Sequence, residues 1–244
     1  MPQLIVQVQT TVANVQDGEM TATIQEDLAQ HHLLPEEQIV DTGYVDAELL
    51  VTSQQQYGIQ LVGPVLSDTS WQAKADKEFD VAHFQLDWQN LQATCPQGQT
   101  SARWSPAGER MEVVFAREVC AACPMRRDCT ESSTTGRVLH VRPQAAHEAL
   151  QARRQEQETA AFRQAYQTRA GIEGTLSQAV RGMGIRRARY DGLHKTQVQH
   201  VVTAVAINRV RIDAVLTQTP RGKTRQSNFM RLALHPCLQG QTAA

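Results

Sequence analysis

Tyr166, Arg169 and Glu173 stand at i, i+3 and i+7 in the stretch YQTRAGIEGTLSQAVRGMGIRRARY. On a helix this spacing puts all three on one stripe. Ile172, Leu176 and Val180 form a neighbouring apolar stripe that reads as a core-facing edge. Arg181, Arg186, Arg187 and Arg189 follow. A carboxylate on a polar helix face, ahead of clustered guanidiniums, suits a metal ligand beside a phosphate backbone. The competing reading is a solvated Glu–Arg surface pair. Gly171 and Gly174 bracket the glutamate. Glycine in a helix costs roughly 1 kcal/mol against alanine, so something close to the backbone is expected at both.

A second carboxylate, Asp41, closes a short apolar run at 38–40 and precedes Gly43 and Tyr44. The strand ends of open α/β sheets are where ligands usually bind. On position alone, an Asp capping the next turn is the alternative. A third group is sulfur-bearing. Cys120, Cys123 and Cys129 follow a Cys-x2-Cys-x5-Cys spacing, with Cys95 upstream. Four thiolates can close a tetrahedral shell, and zinc is the ion that such a shell suits best; free structural thiols are the other reading. His140 and His147 are alternative ligands, and Cys237 stands apart near the C-terminus.

The elements that must position these residues follow from periodicity. Residues 4–12 alternate like a strand. A helix is expected over 19–30, with Met20, Ile24 and Leu28 on its buried face. A short strand at 38–41, a helix over 47–57 capped by Asp46, and a strand near 58–65 complete a β-α-β-α-β order, which argues for an α/β sheet. From 67 the alternation stops. Residues 67–136, with Trp71, Trp88 and Trp104, read as an insertion of β pieces and loops. A strand at 137–143 returns the chain to the main fold. A polar helix is expected over 144–166, most of its arginines on a solvated face. A last helix over 196–216 carries Val198, Val201, Val202, Val205 and Ile212 as its apolar stripe, interrupted by Asn208, whose side chain is expected to bond a neighbouring backbone.

The 244 residues carry a net charge of −1, but the charge is unevenly spread. Residues 1–136 hold 7 Lys/Arg against 19 Asp/Glu, and residues 137–231 hold 17 against 6. A basic second half points to nucleic acid or another polyanion. No run of apolar residues is long enough to span a membrane, and the N-terminus lacks the basic and apolar regions of a signal peptide. A reducing, cytoplasmic compartment is the expectation, with thiols free or metal-bound.

The Tyr-x2-Arg-x3-Glu spacing resembles the signature of DDE transposases of bacterial insertion sequences. The wider wording, RAGIEGTLSQ and then GIRRARYDGLHKTQVQHVVTAVAINRVR, resembles the branch of that family with a cysteine-bearing insert. VDTGYVDAELL resembles its second-carboxylate motif. The Lys common seven residues after the Glu is Val180 here, followed by Arg181.

The resemblance implies an α/β fold: a partial RNase H-like fold interrupted by a mostly β, Cys-containing insertion. Its parts would be 1–66 with the second carboxylate, the insert at 67–136, a helical part at 137–218 with the third carboxylate, and a flexible tail at 219–244. It implies Asp41 and Glu173 as ligands of Mg²⁺ or Mn²⁺, within roughly 10 Å of each other if they serve a metal pair. Arg169 would hold a phosphate oxygen, and Tyr166 would bond to DNA or orient the Glu. Arg181, Arg186, Arg187, Arg189 and Lys195 would contact phosphates of transposon ends and target DNA. A homodimer, nucleoid association and no membrane complete the expectation. In the family the first catalytic Asp lies on the first strand, upstream of a hairpin. Here the phrase NVQDG at 14–18 matches the end of that hairpin, and Asp17 falls at a helix start. The first carboxylate has no candidate, so the chain reads as N-terminally truncated and inactive alone. The alternatives are a non-catalytic DNA-binding or interaction protein with a structural zinc site, and a zinc module with no DNA role.

Overall fold

The computed structural model describes residues 3–219. Cys237 and the tail expected beyond residue 219 lie outside the described residues. The chain divides into two compact units, Ala13–Arg169 and the pair Met1–Val12 with Ala170–Ala244.

In the first unit, α1 (Glu19–Gln30), β1 (Glu37–Ile39), α2 (Ala47–Tyr57) and β2 (Gln60–Val62) follow one another. β1 and β2 pair in parallel, Glu37 opposite Gln60 and Ile39 opposite Val62, so α2 is their crossover. The ends of α2 are set by local chemistry. Asp46 Oδ1 accepts from the Leu49 N–H at 2.7 Å, and Gly58 takes the left-handed conformation (φ 67°) that ends the helix. Val40, Ile59 and Leu61 form the buried centre, with Tyr44, Val45, Leu49, Leu50 and Tyr57 packed against it.

The buried stripe of α1 differs from the expected one. Thr21, Gln25 and Leu28 are buried, whereas Met20 and Ile24 are half-buried. The two polar side chains have partners: Thr21 Oγ1 donates to the Tyr44 carbonyl at 3.4 Å, and Gln25 Nε2 donates to Gln38 Oε1 at 2.9 Å. Satisfied hydrogen bonds let them replace apolar groups at little cost.

The next stretch holds α3 (Trp71–Ala75), the antiparallel pair β3 (Gln85–Asp87) and β4 (Gln92–Thr94), and a sheet of β5 (Arg103–Ala107), β6 (Arg110–Val114) and β7 (Val138–Val141). Two short helices, α4 (Arg117–Ala122) and α5 (Arg126–Cys129), lie between β6 and β7. β7 pairs antiparallel with β6, Val113 opposite Leu139. A second core gathers here: Phe79, Phe84, Ala93, Val113, Phe115, Cys129, Leu139 and Val141. Trp88 packs edge-on to Trp104 at 5.0 Å and lies 5.8 Å from the His147 ring.

The polar helix expected over 144–166 is two helices, α6 (Gln144–Glu156) and α7 (Ala160–Gln167). Thr159 breaks the run because its hydroxyl accepts from the Phe162 N–H at 3.2 Å and caps α7. Arg153 is not on a solvated face. It is buried, donating from Nη2 to the Leu61 carbonyl at 2.6 Å and lying 5.5 Å from the centre of the Phe162 ring.

In the second unit, α8 (Ala170–Met183) and α9 (Leu193–Leu216) accompany an extended N-terminal segment. Residues 4–12 are extended but pair with no strand. One stripe of α9 serves their backbone instead. Asn208 accepts from the Ile5 N–H at 2.8 Å and donates to the Ile5 carbonyl at 2.7 Å. Gln197 donates to the Val8 carbonyl at 2.7 Å, Thr10 and His200 share a 2.7 Å hydrogen bond, and Arg211 donates to the Gln3 carbonyl. The expectation that Asn208 bonds a neighbouring backbone holds. The expectation of a buried valine stripe does not: Val198, Val202 and Val205 are each more than half exposed, while Thr203, Ala204 and Ile207 are buried. The inward face of α9 is the one that carries the polar clamp. Among the described residues no helix is long and apolar enough to cross a membrane.

Candidate functional site

Asp41 follows β1 directly. Val40, between them, donates its N–H to the Val62 carbonyl at 3.0 Å and extends the pairing to the strand end. Gly63 lies against this point: a Cβ there would come within 2.7 Å of the Val40 carbonyl oxygen and 2.8 Å of Val45 Cγ2. Only glycine allows β2 to close up beside the residue that carries Asp41.

The Asp41 carboxylate has two partners. Oδ1 accepts from the Thr42 N–H at 2.8 Å, capping the 3₁₀ turn Thr42–Tyr44. Oδ2 accepts from Arg169 Nη2 at 2.7 Å. Asp41 therefore caps the turn, the alternative read from its position, and also pairs with a cation. Its side chain is 51% exposed, so the ion pair adds at most about 1 kcal/mol to stability. The Tyr44 hydroxyl is pushed up from its ordinary pKa by burial first, and then by the nearby carboxylates of Asp17 and Asp41. Tyr44 packs against the buried centre of Val40, Ile59 and Leu61, and it brings in Asp17, which the sequence places at a helix start.

Arg169 also lies over the Tyr166 ring, 5.9 Å from its centre, and Tyr166 stacks on Phe162 at 5.9 Å. Asp41, Arg169 and Tyr166 are thus assembled within one unit. Glu173 belongs to the other, exposed in the first turn of α8. The expected single helical stripe through Tyr166, Arg169 and Glu173 is interrupted. Tyr166 is in α7, Arg169 is in a turn, and Glu173 is in α8. The Thr168 hydroxyl donates to the Ala165 carbonyl at 2.7 Å, a local bond that competes with the helical ladder.

The two glycines beside Glu173 differ. A Cβ on Gly171 would meet the Gln3 side chain at 2.9 Å, whereas one on Gly174 would meet nothing within 4 Å. The close neighbour expected at both positions exists only at Gly171. Ile172 and Leu176 are exposed, not a core edge; Ala179 is the buried residue of α8.

Arg181, Arg186, Arg187, Arg189 and Lys195 are all exposed. They span the last turn of α8, the connection to α9 and the first turn of α9. Gln199 fixes that connection, accepting from the Arg189 N–H at 2.9 Å and donating to the Arg187 carbonyl at 3.0 Å. Five exposed cations on and beside a connection held by the Gln199 side chain suit contacts to a polyanion. Gln199 had no signal in the sequence, since an uncharged polar residue on a helix stands out from nothing.

Cys95, Cys120, Cys123 and Cys129 line one cavity of about 30 Å³, room enough for a water molecule. Phe115, Arg126 and Arg137 are also in its wall, and His140 and His147 are not. All four cysteines are free. Two sulfurs accept backbone N–H groups, Cys95 from Gln99 and Cys120 from Arg137, each at 3.4 Å. Burial, opposed by the Arg137 charge, pushes the Cys129 thiol up to about 11. His147, packed on Trp88, has its pKa lowered, mainly by burial. Among the described residues no group of three or more His, Cys, Asp or Glu side chains is arranged to hold a metal ion. The cysteines line one cavity but are not drawn into a ligand shell.

Two open sheet pairs, a three-stranded sheet and crossing helices, with a carboxylate at a parallel strand end, define a mixed α/β architecture of the RNase H-like kind. Residues 94–212, just under half of the chain, match the family model of the transposase DDE domain, consistent with a DDE-type transposase fragment. The matched stretch contains all four cavity cysteines, Glu173 and the arginine loop, and leaves Asp41 outside. Comparison with curated proteins and with solved structures gives no match.

Proposed function

We propose that this chain acts on transposon-end DNA as part of a DDE transposase, in metal-dependent cleavage and transfer of strands. The observation that carries this reading is the family match across Glu173 and the exposed arginine loop. Asp41 and Glu173 serve as ligands of Mg²⁺ or Mn²⁺. The fit is chemical: Asp41 offers a half-exposed hard oxygen that already holds a positive charge, the Arg169 guanidinium, at 2.7 Å. A bound divalent ion supplies charge stabilisation to the attacking and leaving oxygens of the phosphodiester. Arg169 then turns its planar fork from Asp41 to a phosphate oxygen, and Tyr166 supports it through its ring face. The arginines at 181, 186, 187 and 189, with Lys195, hold the DNA backbone. A homodimer and work at the nucleoid belong to the same reading.

The residues give two carboxylates for a chemistry that ordinarily uses three. The extended segment at 3–12 contains neither Asp nor Glu, and Asp17 is engaged with Tyr44. These 244 residues by themselves are therefore expected to bind transposon-end DNA without cutting it. A nicking assay with Mg²⁺ or Mn²⁺, on DNA carrying the element's own ends, checks this. Cleavage that disappears in Glu173→Ala would show a complete carboxylate set and overturn the expectation.

A second reading concerns the insert: its four cysteines hold a structural zinc ion. It is favoured by the cavity they share and by the two N–H···S hydrogen bonds. Backbone donors to sulfur stabilise thiolate over thiol. The ion would join the β4 end (Cys95) to α4 and α5 (Cys120, Cys123 and Cys129) across a small core.

A further inference from the structure

A cleft of about 420 Å³ opens between α7 and the chain that follows β2. Phe162 and Tyr166 line it from α7, Pro64 and Val65 from beyond β2, with Gln157 and Arg163 beside them. The volume lies in the range of small-molecule sites. Phe162 and Tyr166 stand at i and i+4, so α7 carries both rings on one face. The rings are nearly parallel, 13° apart, with centres separated by 5.9 Å.

Three hydrogen bonds latch α6 and the turn after it to the chain at the end of β2. Arg153 donates to the Leu61 carbonyl at 2.6 Å, Gln157 Oε1 accepts from the Val65 N–H at 3.0 Å, and Arg154 donates to the Leu66 carbonyl at 3.2 Å. Arg153 also lies 5.5 Å from the centre of the Phe162 ring, and Phe162 and Val65 are both buried. The walls are therefore fixed by the fold, which leaves little ordering cost for a ligand to meet.

Flat rings facing Pro and Val side chains suit a flat ligand with apolar faces. The surrounding charge suits one that carries an anion. Arg163 is held at the turn, donating to the Glu158 carbonyl at 2.9 Å and the Thr159 carbonyl at 3.3 Å. Glu158 is the one carboxylate of the lining, and it is exposed. The ring of Tyr166 belongs both to the cleft and to the contact with Arg169, which pairs with Asp41 at 2.7 Å. A planar group seated here thus sits beside the guanidinium assigned to a phosphate oxygen. We propose that the cleft is a stacking subsite for an unpaired nucleobase of the transposon end, which joins the Phe162–Tyr166 pair while its phosphate faces Arg169. The subsite rests on the DNA reading above and adds a base to the phosphate contacts of that reading. Inside a duplex both faces of a base are covered by its neighbours, so the ligand is a nucleotide that has left the helix. Any of the four bases can serve, because each has a π-face.

The test uses the full chain and two duplexes carrying the element's own end, one blunt and one with a short single-stranded extension. Wild type is expected to prefer the extended duplex by about 5–150-fold, the range that stacking of one base supplies. Tyr166→Ala should lose this preference. Tyr166→Phe, which keeps the ring and drops the hydroxyl, should retain it. A preference that survives in Tyr166→Ala, or that is lost equally in Tyr166→Phe, would overturn stacking on this ring. A second measurement needs no variant and decides even if Tyr166→Ala does not fold. With 5-iodouracil in the extension, irradiation of the wild-type complex is expected to cross-link the DNA within residues 157–167; cross-links confined to other parts of the chain would overturn the subsite. Equal binding of both duplexes by wild type would also overturn it while leaving the DNA reading intact. Binding of neither duplex would refute the DNA reading itself.

Discussion

Replacing Arg181, Arg186, Arg187 and Arg189 together by glutamine is expected to flatten the salt dependence of DNA binding. Each phosphate neutralised by a cation adds roughly 0.9 to the slope of log affinity against log salt, so four lost contacts should reduce it by about 3 to 4. The four side chains are exposed, and their substitution leaves no buried group unpaired. The loop that carries Arg187 and Arg189 is held by main-chain hydrogen bonds to Gln199, which the substitutions do not touch. The loss is thus one of charge and not of fold. Anisotropy titrations over a range of salt concentrations, on transposon-end and unrelated duplexes, provide the measurement. Phosphate contacts carry no sequence information, so both duplexes should lose affinity alike. An unchanged slope would refute the phosphate role of the loop.

The largest expected loss of stability is at Phe115. It is 1% exposed and packs edge-on to Phe84 at 5.6 Å. Its N–H holds the Arg137 carbonyl, and its ring lines the cysteine cavity. Phe115→Ala removes a buried aromatic ring from a small core and is expected to cost about 3–5 kcal/mol. Chemical denaturation followed by the fluorescence of Trp88 and Trp104, which pack against the same core, would report it. A loss below about 1 kcal/mol would mean that the insert's stability does not depend on this core.

Much of the local structure was legible because it is written in local chemistry. Helices α1 and α2 fall where the sequence places them, and Asp46 caps α2 as read. The parallel β1–β2 pair follows from the order of elements. What periodicity could not show was where polar groups find partners. Residues 4–12 alternate like a strand and are extended, yet their backbone is met by side chains of α9, chiefly Asn208 and Gln197. That clamp draws a polar stripe of α9 inward and leaves Val198, Val202 and Val205 outside. Thr159 and Thr168 each break a helical run with a single hydroxyl, a feature lost in a strongly polar stretch.

The residues of the proposed sites divide in the same way. Asp41 and its neighbour Tyr44 were readable from a motif at a strand end, and the gathering of four cysteines from their spacing. The ion pair from Asp41 to Arg169 joins residues 128 positions apart, and Arg137 reaches the cysteines through the pairing of β7 with β6. Neither has a signature in spacing, because each depends on which strands and turns become neighbours.

Asp41 and Glu173 are proposed to serve the same catalytic ions. Iron-directed cleavage addresses this: Fe²⁺ takes Mg²⁺ sites, and with ascorbate and peroxide it cuts the nearby polypeptide chain. With the chain bound to transposon-end DNA, scission is expected near both residue 41 and residue 173, suppressed by excess Mg²⁺ and lost at both places in Asp41→Asn or Glu173→Gln alone. Scission at one place only, or at both places unaffected by either substitution, would contradict a shared carboxylate site.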